Sequence, residues 1–344
     1  MTIPCDTVLA SAAHPAAQLG HIFYFTVLPI LLVAGLGYVL QRRLGLDMPT
    51  LVRLNFYFII PAMVYVSILT SRVNVAEIGR VLGFCVAVQA GLWLLTLGAA
   101  AVRRVPRDQW RTMLMSTMLY NSGNYGLPLQ DLAFKRLGFG GLAASLQIFV
   151  MLFQNVLGFT VGVFLISGGR KDAHWREQLM HIVKFPSLYA IVAALVTIQI
   201  RLWLGDDAAR VASHLAPFWQ AIQYVKEGFF AIALGTLGAQ LATVRNDGLR
   251  YPVTLTVVLR LLAAPAVALG AIYLLGLEGL MAQVLLISTA TPTAVNAMLL
   301  CLEFKNHPDF AARSVFYSTV LSPLTVTLVI FVAQGGFLQR LALP

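Results

Sequence analysis

Residues 112–134, TMLMSTMLYNSGNYGLPLQDLAF, decide how the chain is read. The run is apolar at both ends and long enough for a helix, yet its middle, Asn121-Ser-Gly-Asn-Tyr-Gly-Leu-Pro128, packs two Asn, two Gly and a Pro into eight residues. Proline removes an amide donor and pushes away the carbonyl four residues back, and glycine adds flexibility. The expected result is a helix broken at its centre. A second apolar run, 280–301, is interrupted by Ala290-Thr-Pro-Thr-Ala-Val-Asn296 and is expected to break in the same way.

Composition sets the solvent for these runs. The chain has 344 residues, 59% hydrophobic and 11% charged, with a mean hydropathy of +0.80. Soluble globular proteins carry roughly a quarter charged residues, so this composition excludes an ordinary soluble enzyme. The net charge of +10 and pI near 9.8 pose a question of membrane sidedness, and nucleic acid is not expected as a partner. Cys5, Cys85 and Cys301 lie far apart without CxxC or His spacing, which supports neither a disulfide framework nor a zinc site. Residues 1–20 contain no Lys or Arg and no continuous apolar core, so they read as a short polar tail rather than a signal peptide.

A hydrocarbon core about 30 Å thick needs roughly 20 apolar residues in a helix. Ten stretches qualify: 21–40, 50–70, 80–101, 112–134, 140–166, 185–201, 216–241, 252–274, 280–301 and 311–334. Backbone groups inside lipid must be satisfied locally, so non-alternating runs of this length are helices. The expected fold class is an all-α integral membrane protein with ten transmembrane helices. Sorting the loops by Lys and Arg places fifteen on one side, in the loops around Arg42, Arg103, Arg170, Arg245 and Lys305, against seven on the other. The positive-inside rule makes the first side cytoplasmic, with both termini on the outer face.

The hydrophilic connection 167–184 divides the spans five and five, and an odd number per half makes the halves inverted repeats, 21–166 and 185–334, followed by a C-terminal tail, 335–344. The two breaks hold the same ordinal place, fourth and ninth. Pro128 and Pro292 are 164 residues apart, as are the expected starts of the first and sixth spans. Broken helices at matching depth can face one another across a wet cavity at the bilayer midplane, a plan many secondary transporters share. The half-helices beginning near Pro128 and Pro292 would turn free N–H groups and positive dipole ends into it, a site for a small anion or carboxylate. The expected substrate-binding set is Asn121, Asn124, Tyr125, Gly126, Pro128, Thr291, Pro292, Thr293 and Asn296.

These segments, with the final span containing SVFYSTVLSPLTVTLVI, resemble the auxin efflux carrier family over nearly the whole chain. The resemblance implies a bile acid sodium symporter-like fold in which the broken fourth and ninth helices cross at the substrate. It also implies an elevator mechanism, in which the third to fifth and eighth to tenth helices move against a scaffold of the first, second, sixth and seventh. It further implies a homodimer, and transport of small organic anions such as auxin or a dicarboxylate. The short central connection resembles bacterial members, which points to the inner membrane. Sodium-coupled relatives place an acidic residue at the second crossover. ATPTAVN has none, so sodium coupling is not implied, although Asn, Thr and carbonyl oxygens can ligate a cation. No cofactor is expected, and proton and sodium coupling both stay open.

Ionisable groups at membrane depth are functional candidates. Lys226 and Glu227 fall near the middle of the seventh span, with Lys226 read as an anion contact and Glu227 as a proton-coupling carboxylate. Arg260, in the eighth span, is read as a structural charge bonding the freed carbonyls of a broken helix. Asn55, Gln89, Gln154 and Asn155 read as interhelical glue, and Gly158-x-x-x-Gly162 as close helix packing. No HExxH, GxSxG or pair of buried aspartates supports an enzyme. A channel or membrane sensor on the same ten helices is the alternative, although a sensor would call for a soluble output domain and a channel for a continuous polar path.

Overall fold

The computed structural model describes residues 14–70, 73–167, 186–244, 248 and 251–338. The expected tail up to residue 13, the connection 168–184 and the end beyond residue 338 lie outside the described residues, together with the basic loop residues they carry.

Among the described residues the chain is helical, and seven continuous helices are long and apolar enough to cross a membrane. They are α1 (Pro15–Leu44), α2 (Met48–Thr70), α3 (Val75–Val102), α6 (Gly140–Ile166), α7 (Pro186–Leu204), α10 (Tyr251–Leu274) and α13 (Pro308–Gln334). The other three expected spans are interrupted. The fourth is α4 (Trp110–Met118) and α5 (Gly126–Lys135), the seventh is α8 (Ala216–Glu227) and α9 (Phe229–Thr243), and the ninth is α11 (Gly279–Thr289) and α12 (Val295–Glu303).

Local chemistry explains the boundaries. Helix α1 starts at Pro15, so residues 15–20, read as tail from the sequence, belong to the helix. Proline suits the first turn of a helix, where its missing amide would have no partner anyway. Gly45 ends α1 with φ 62°, a left-handed cap that a glycine adopts without strain. Asp47 accepts the Thr50 amide to start α2, and Asn74 with Glu77 forms a reciprocal capping box before α3, at 2.9 and 2.8 Å.

Four helices contain a single π turn, at Phe23–Val27, Asn55–Ile59, Gly158–Gly162 and Leu259–Ala263. Apolar periodicity does not reveal these insertions, because one extra residue leaves the lipid-facing composition unchanged.

The main core joins Phe84, Val88 and Leu92 of α3 to Leu129 and Phe134 of α5, to Leu285 and Ile287 of α11, and to Val326 and Ile330 of α13. A second cluster joins Ile60 and Val64 of α2, Ala190 of α7, Phe229 and Ala233 of α9 and Ile148 of α6. Large apolar side chains also face outward along the long helices, including Leu36, Tyr57, Leu94, Val192 and Leu324. Such a surface suits acyl chains rather than water.

Helices α1 and α9 approach so closely that backbone replaces side chain at the contact. A Cβ on Gly238 would lie 1.7 Å from Ala34 O, and one on Gly37 would lie 2.1 Å from Gly235 O. Gly235 itself has open space where a Cβ would be added. Gly238→Ala should therefore lower thermal stability in detergent by about 1–3 kcal/mol, as overpacking does. Gly235→Ala, three residues away, should leave it nearly unchanged. Equal melting temperatures for the two variants would refute the close approach.

Candidate functional site

The two interrupted segments meet each other. Asn121 N donates to Pro292 O and Ala294 N donates to Leu119 O, both at 2.8 Å, closing a two-bond antiparallel bridge between Tyr120 and Thr293. A break in α4–α5 alone would leave backbone groups without partners in lipid, at several kcal/mol each. Each break supplies the other's missing partners.

The C-terminal ends of α4 and α11 are fully accounted for. At the end of α4, Thr293 Oγ1 donates to Ser116 O at 2.8 Å, Arg260 NH1 to Thr117 O at 2.7 Å, and Gln89 Nε2 to Met118 O at 3.1 Å. At the end of α11, Thr289 O accepts from Arg260 NH2, and Ser288 O accepts from Thr291 Oγ1 at 2.7 Å. Arg260 is fully buried in the π turn of α10, and its guanidinium carbon sits 4.8 Å from the centre of the Tyr120 ring. One cation thus faces the negative ends of two helix dipoles and the negative face of an aromatic ring.

The N-terminal ends differ: at α5, Leu127 N donates to Gly123 O at 3.1 Å and Pro128 has no N–H, so the preceding loop takes up the first amides. At α5, Asn121 O accepts Gly126 N at 2.9 Å, and Asn121 Oδ1 accepts Tyr125 N at 3.3 Å. A Cβ on Gly126 would lie 2.5 Å from Gln147 Nε2, which donates to Ser122 O at 2.8 Å, so the small residue makes room for the clamp over this loop. At α12 the N-cap is Ala294, whose side chain has no oxygen with which to cap the first amides.

A cavity of about 50 Å³ lies against the start of α12 and the loop that leads into α5. Asn121–Asn124 form one side, Ala294, Val295 and Asn296 another, and Gln154, Asn155 and Gln240 contribute further amides among apolar walls from Phe56, Ile60 and Leu299. It holds no ionisable side chain other than the Tyr120 phenol. Several buried polar atoms around it have no protein partner: Asn121 Nδ2, Gln154 Nε2 and Oε1, and Gln240 Oε1. Buried polar groups are nearly always paired, so these unpaired atoms set the lining apart from the rest of the interior.

The expected site residues divide. Asn121, Asn124 and Asn296 line the cavity. Tyr125, Gly126, Pro128, Thr291, Pro292 and Thr293 are buried behind or beside it, where they hold the crossing together. Thr293 bonds Ser116, and Ser322 Oγ lies 3.2 Å from the Tyr125 hydroxyl. Lys226 is half-buried and Glu227 exposed at the end of α8; neither lines the cavity. Gln154 and Asn155, read from the sequence as interhelical glue, are part of the lining, and Gln240 was not singled out. Their only sequence signal is an amide inside an apolar span. Asn55 bridges helices as read, but its partner is Asn124: Asn55 Nδ2 donates to Asn124 Oδ1 at 2.9 Å, and Asn296 Nδ2 reaches Asn155 Oδ1 at 3.4 Å.

Removing the Arg260 guanidinium should orphan two buried carbonyls. Arg260→Gln should lower stability by about 2–4 kcal/mol, with the relief of a buried charge offsetting part of the loss. Arg260→Lys should recover only part, because one ammonium cannot reproduce the fork across both helix ends. Unaltered thermal unfolding of Arg260→Gln would overturn this assignment.

Comparison with known proteins agrees with this architecture. The family described as membrane transport protein matches residues 175–330, a segment that contains Arg260 and the second break. An uncharacterized transporter of Methanothermobacter thermautotrophicus is 27% identical over 315 residues, covering 88% of this chain and 96% of that protein. Auxin efflux carrier component 1 of Arabidopsis thaliana is 24% identical over 164 residues, which are 47% of this chain and 24% of the plant protein. These relatives are named as transporters, and over the matched residues the chain is similar to them and to the membrane transport protein family, with seven described helices long and apolar enough to cross a membrane.

Proposed function

We propose that the chain is a secondary active or facilitative transporter of a small organic anion, a carboxylate, dicarboxylate or auxin-like acid, bound where the two breaks cross. The observation that carries this reading is the chemistry of the four helix ends. Both C-terminal ends are saturated by side-chain and backbone donors, whereas the cavity abuts the start of α12, where Ala294 offers no side-chain cap, and the unpaired side-chain amides of Asn121 and Gln154. A positive helix end and amide donors without a competing carboxylate favour an anion.

The packing supports ten spans in two inverted halves, because contacts exchange in pairs when each span is replaced by the one five places on. Helix α1 packs on α9 as α2 packs on α7; α5 on α6 as α12 on α13; and α4 on α13 as α11 on α6. An elevator motion is consistent with the size of the cavity. Ligand pockets run to about 300–1,000 Å³, so about 50 Å³ must open before an organic acid fits. Sliding the crossing past Phe56, Ile60 and Gln240 of α2 and α9 would open it. A small amide-lined cavity confined to the crossing, rather than a continuous polar path, also favours alternating access over an open channel. The inner membrane, outward termini and a homodimer complete the proposal; the first and last rest on the resemblance, the termini on the basic loops.

Asn124→Ala and Asn296→Ala should each weaken substrate affinity about 10- to 100-fold, the worth of a hydrogen bond to a charged group, without unfolding the protein. The substrate would first be found by thermal-shift screening of purified protein against mono- and dicarboxylates, indoleacetate included, with and without sodium. Wild-type transport kinetics in both variants would refute the site.

A further inference from the structure

A second cavity, of about 790 Å³, opens between the start of α4 and the α12–α13 connection and shares no lining residue with the crossover cavity. By the distribution of basic loops it lies on the cytoplasmic side. Arg107 and Arg111 line it from one segment, and Lys305, His307 and Arg313 from the other. Asp108 and Asp309 are its only carboxylates, and Asp108 is engaged by His307, with Nε2 3.0 Å from Oδ2.

Like charges from separate segments repel unless something holds them together. Here Thr112 Oγ1 donates to Asn306 Oδ1 at 2.6 Å and lies 3.0 Å from Asn306 O, fixing the neighbours of Arg111 and Lys305 side by side. Lys305 and His307 both have left-handed backbone, φ 52° and 44°, which is unfavourable for a non-glycine residue. Arg313 Nε donates to Asp309 O at 3.2 Å, yet its NH1 is buried without a partner. Among the described residues no carboxylate lies within 4.0 Å of Arg107, Arg111, Lys305 or Arg313 as an ion pair.

We propose that this basin binds a phosphate group, the chemistry shared by anionic phospholipid headgroups and free phosphate-bearing solutes. Guanidinium forks match phosphate oxygens, and Arg313 supplies a donor already withdrawn from solvent and unpaired. Positive-inside bias alone would scatter these cations into water; the Thr112–Asn306 clamp gathers them around one cavity.

The test titrates detergent-purified full chain with inorganic pyrophosphate at constant ionic strength. In parallel, it measures retention of phosphatidylglycerol against phosphatidylcholine from mixed vesicles. The comparison variant is Arg107→Gln/Arg111→Gln, with both side chains exposed, and Arg313→Gln is the second. Saturable binding of either probe, weakened about tenfold or more by the double variant, supports the site. Pyrophosphate binding assigns it to free phosphates, and phosphatidylglycerol retention to headgroups. Absence of saturable binding of both probes to the unaltered chain, or binding that both variants leave unchanged, overturns the proposal. Any pyrophosphate bound at the crossover would survive both variants, because the two cavities share no lining residue, so the two sites stand or fall separately.

Discussion

A lipid interior offers no water to complete a hydrogen bond, and the rest of this structure depends on how that constraint is met at two places. Each interrupted helix exposes carbonyls at one end and amides at the other. A break can persist at membrane depth only where protein supplies partners. The bridge between Tyr120 and Thr293 does this reciprocally, so the two segments are stable together in a way that neither is alone. The crossing is thus a consequence of backbone satisfaction.

Electrostatics then divides the crossing into two faces. Arg260 gathers the C-terminal ends of α4 and α11 and removes their negative ends from consideration as ligands for a cation. The N-terminal end of α12 and the loop leading into α5 are left against the amide-lined cavity. A site for an anion can therefore be built without a cationic side chain in contact with it, which avoids the desolvation of a free buried charge. The full burial of Arg260 is tolerable because two carbonyls and the Tyr120 ring surround it.

The π turns connect the framework to this chemistry. Asn55 reaches Asn124 from one, Arg260 reaches the helix ends from another, and Gly158 and Phe159 line the cavity from a third. Each extra residue re-aims the side chains of an otherwise regular span. The contact between Asn55 and Asn124 also ties α2 directly to the first break by a hydrogen bond as well as by apolar packing.

Much of this was legible in the sequence. Apolar length set the helices, because a bilayer accepts little else, and Pro128, Pro292 and their Asn and Gly neighbours located both breaks through backbone chemistry that is local. Asn121, Asn124 and Asn296 could be picked as lining for the same reason. Tertiary structure alone decided which polar residues converge. Gln154, Asn155 and Gln240 are far from the breaks in sequence, and an amide within an apolar span says nothing of the helix it will face. Lys226 and Glu227 were chosen by counting residues along a span, but position along a helix does not specify direction around the bundle, and packing left both outside the cavity. Local chemistry determined where the helices break; only the packing of distant segments determined what the breaks meet, because hydrogen bonds across a bundle depend on positions that no single stretch of chain encodes.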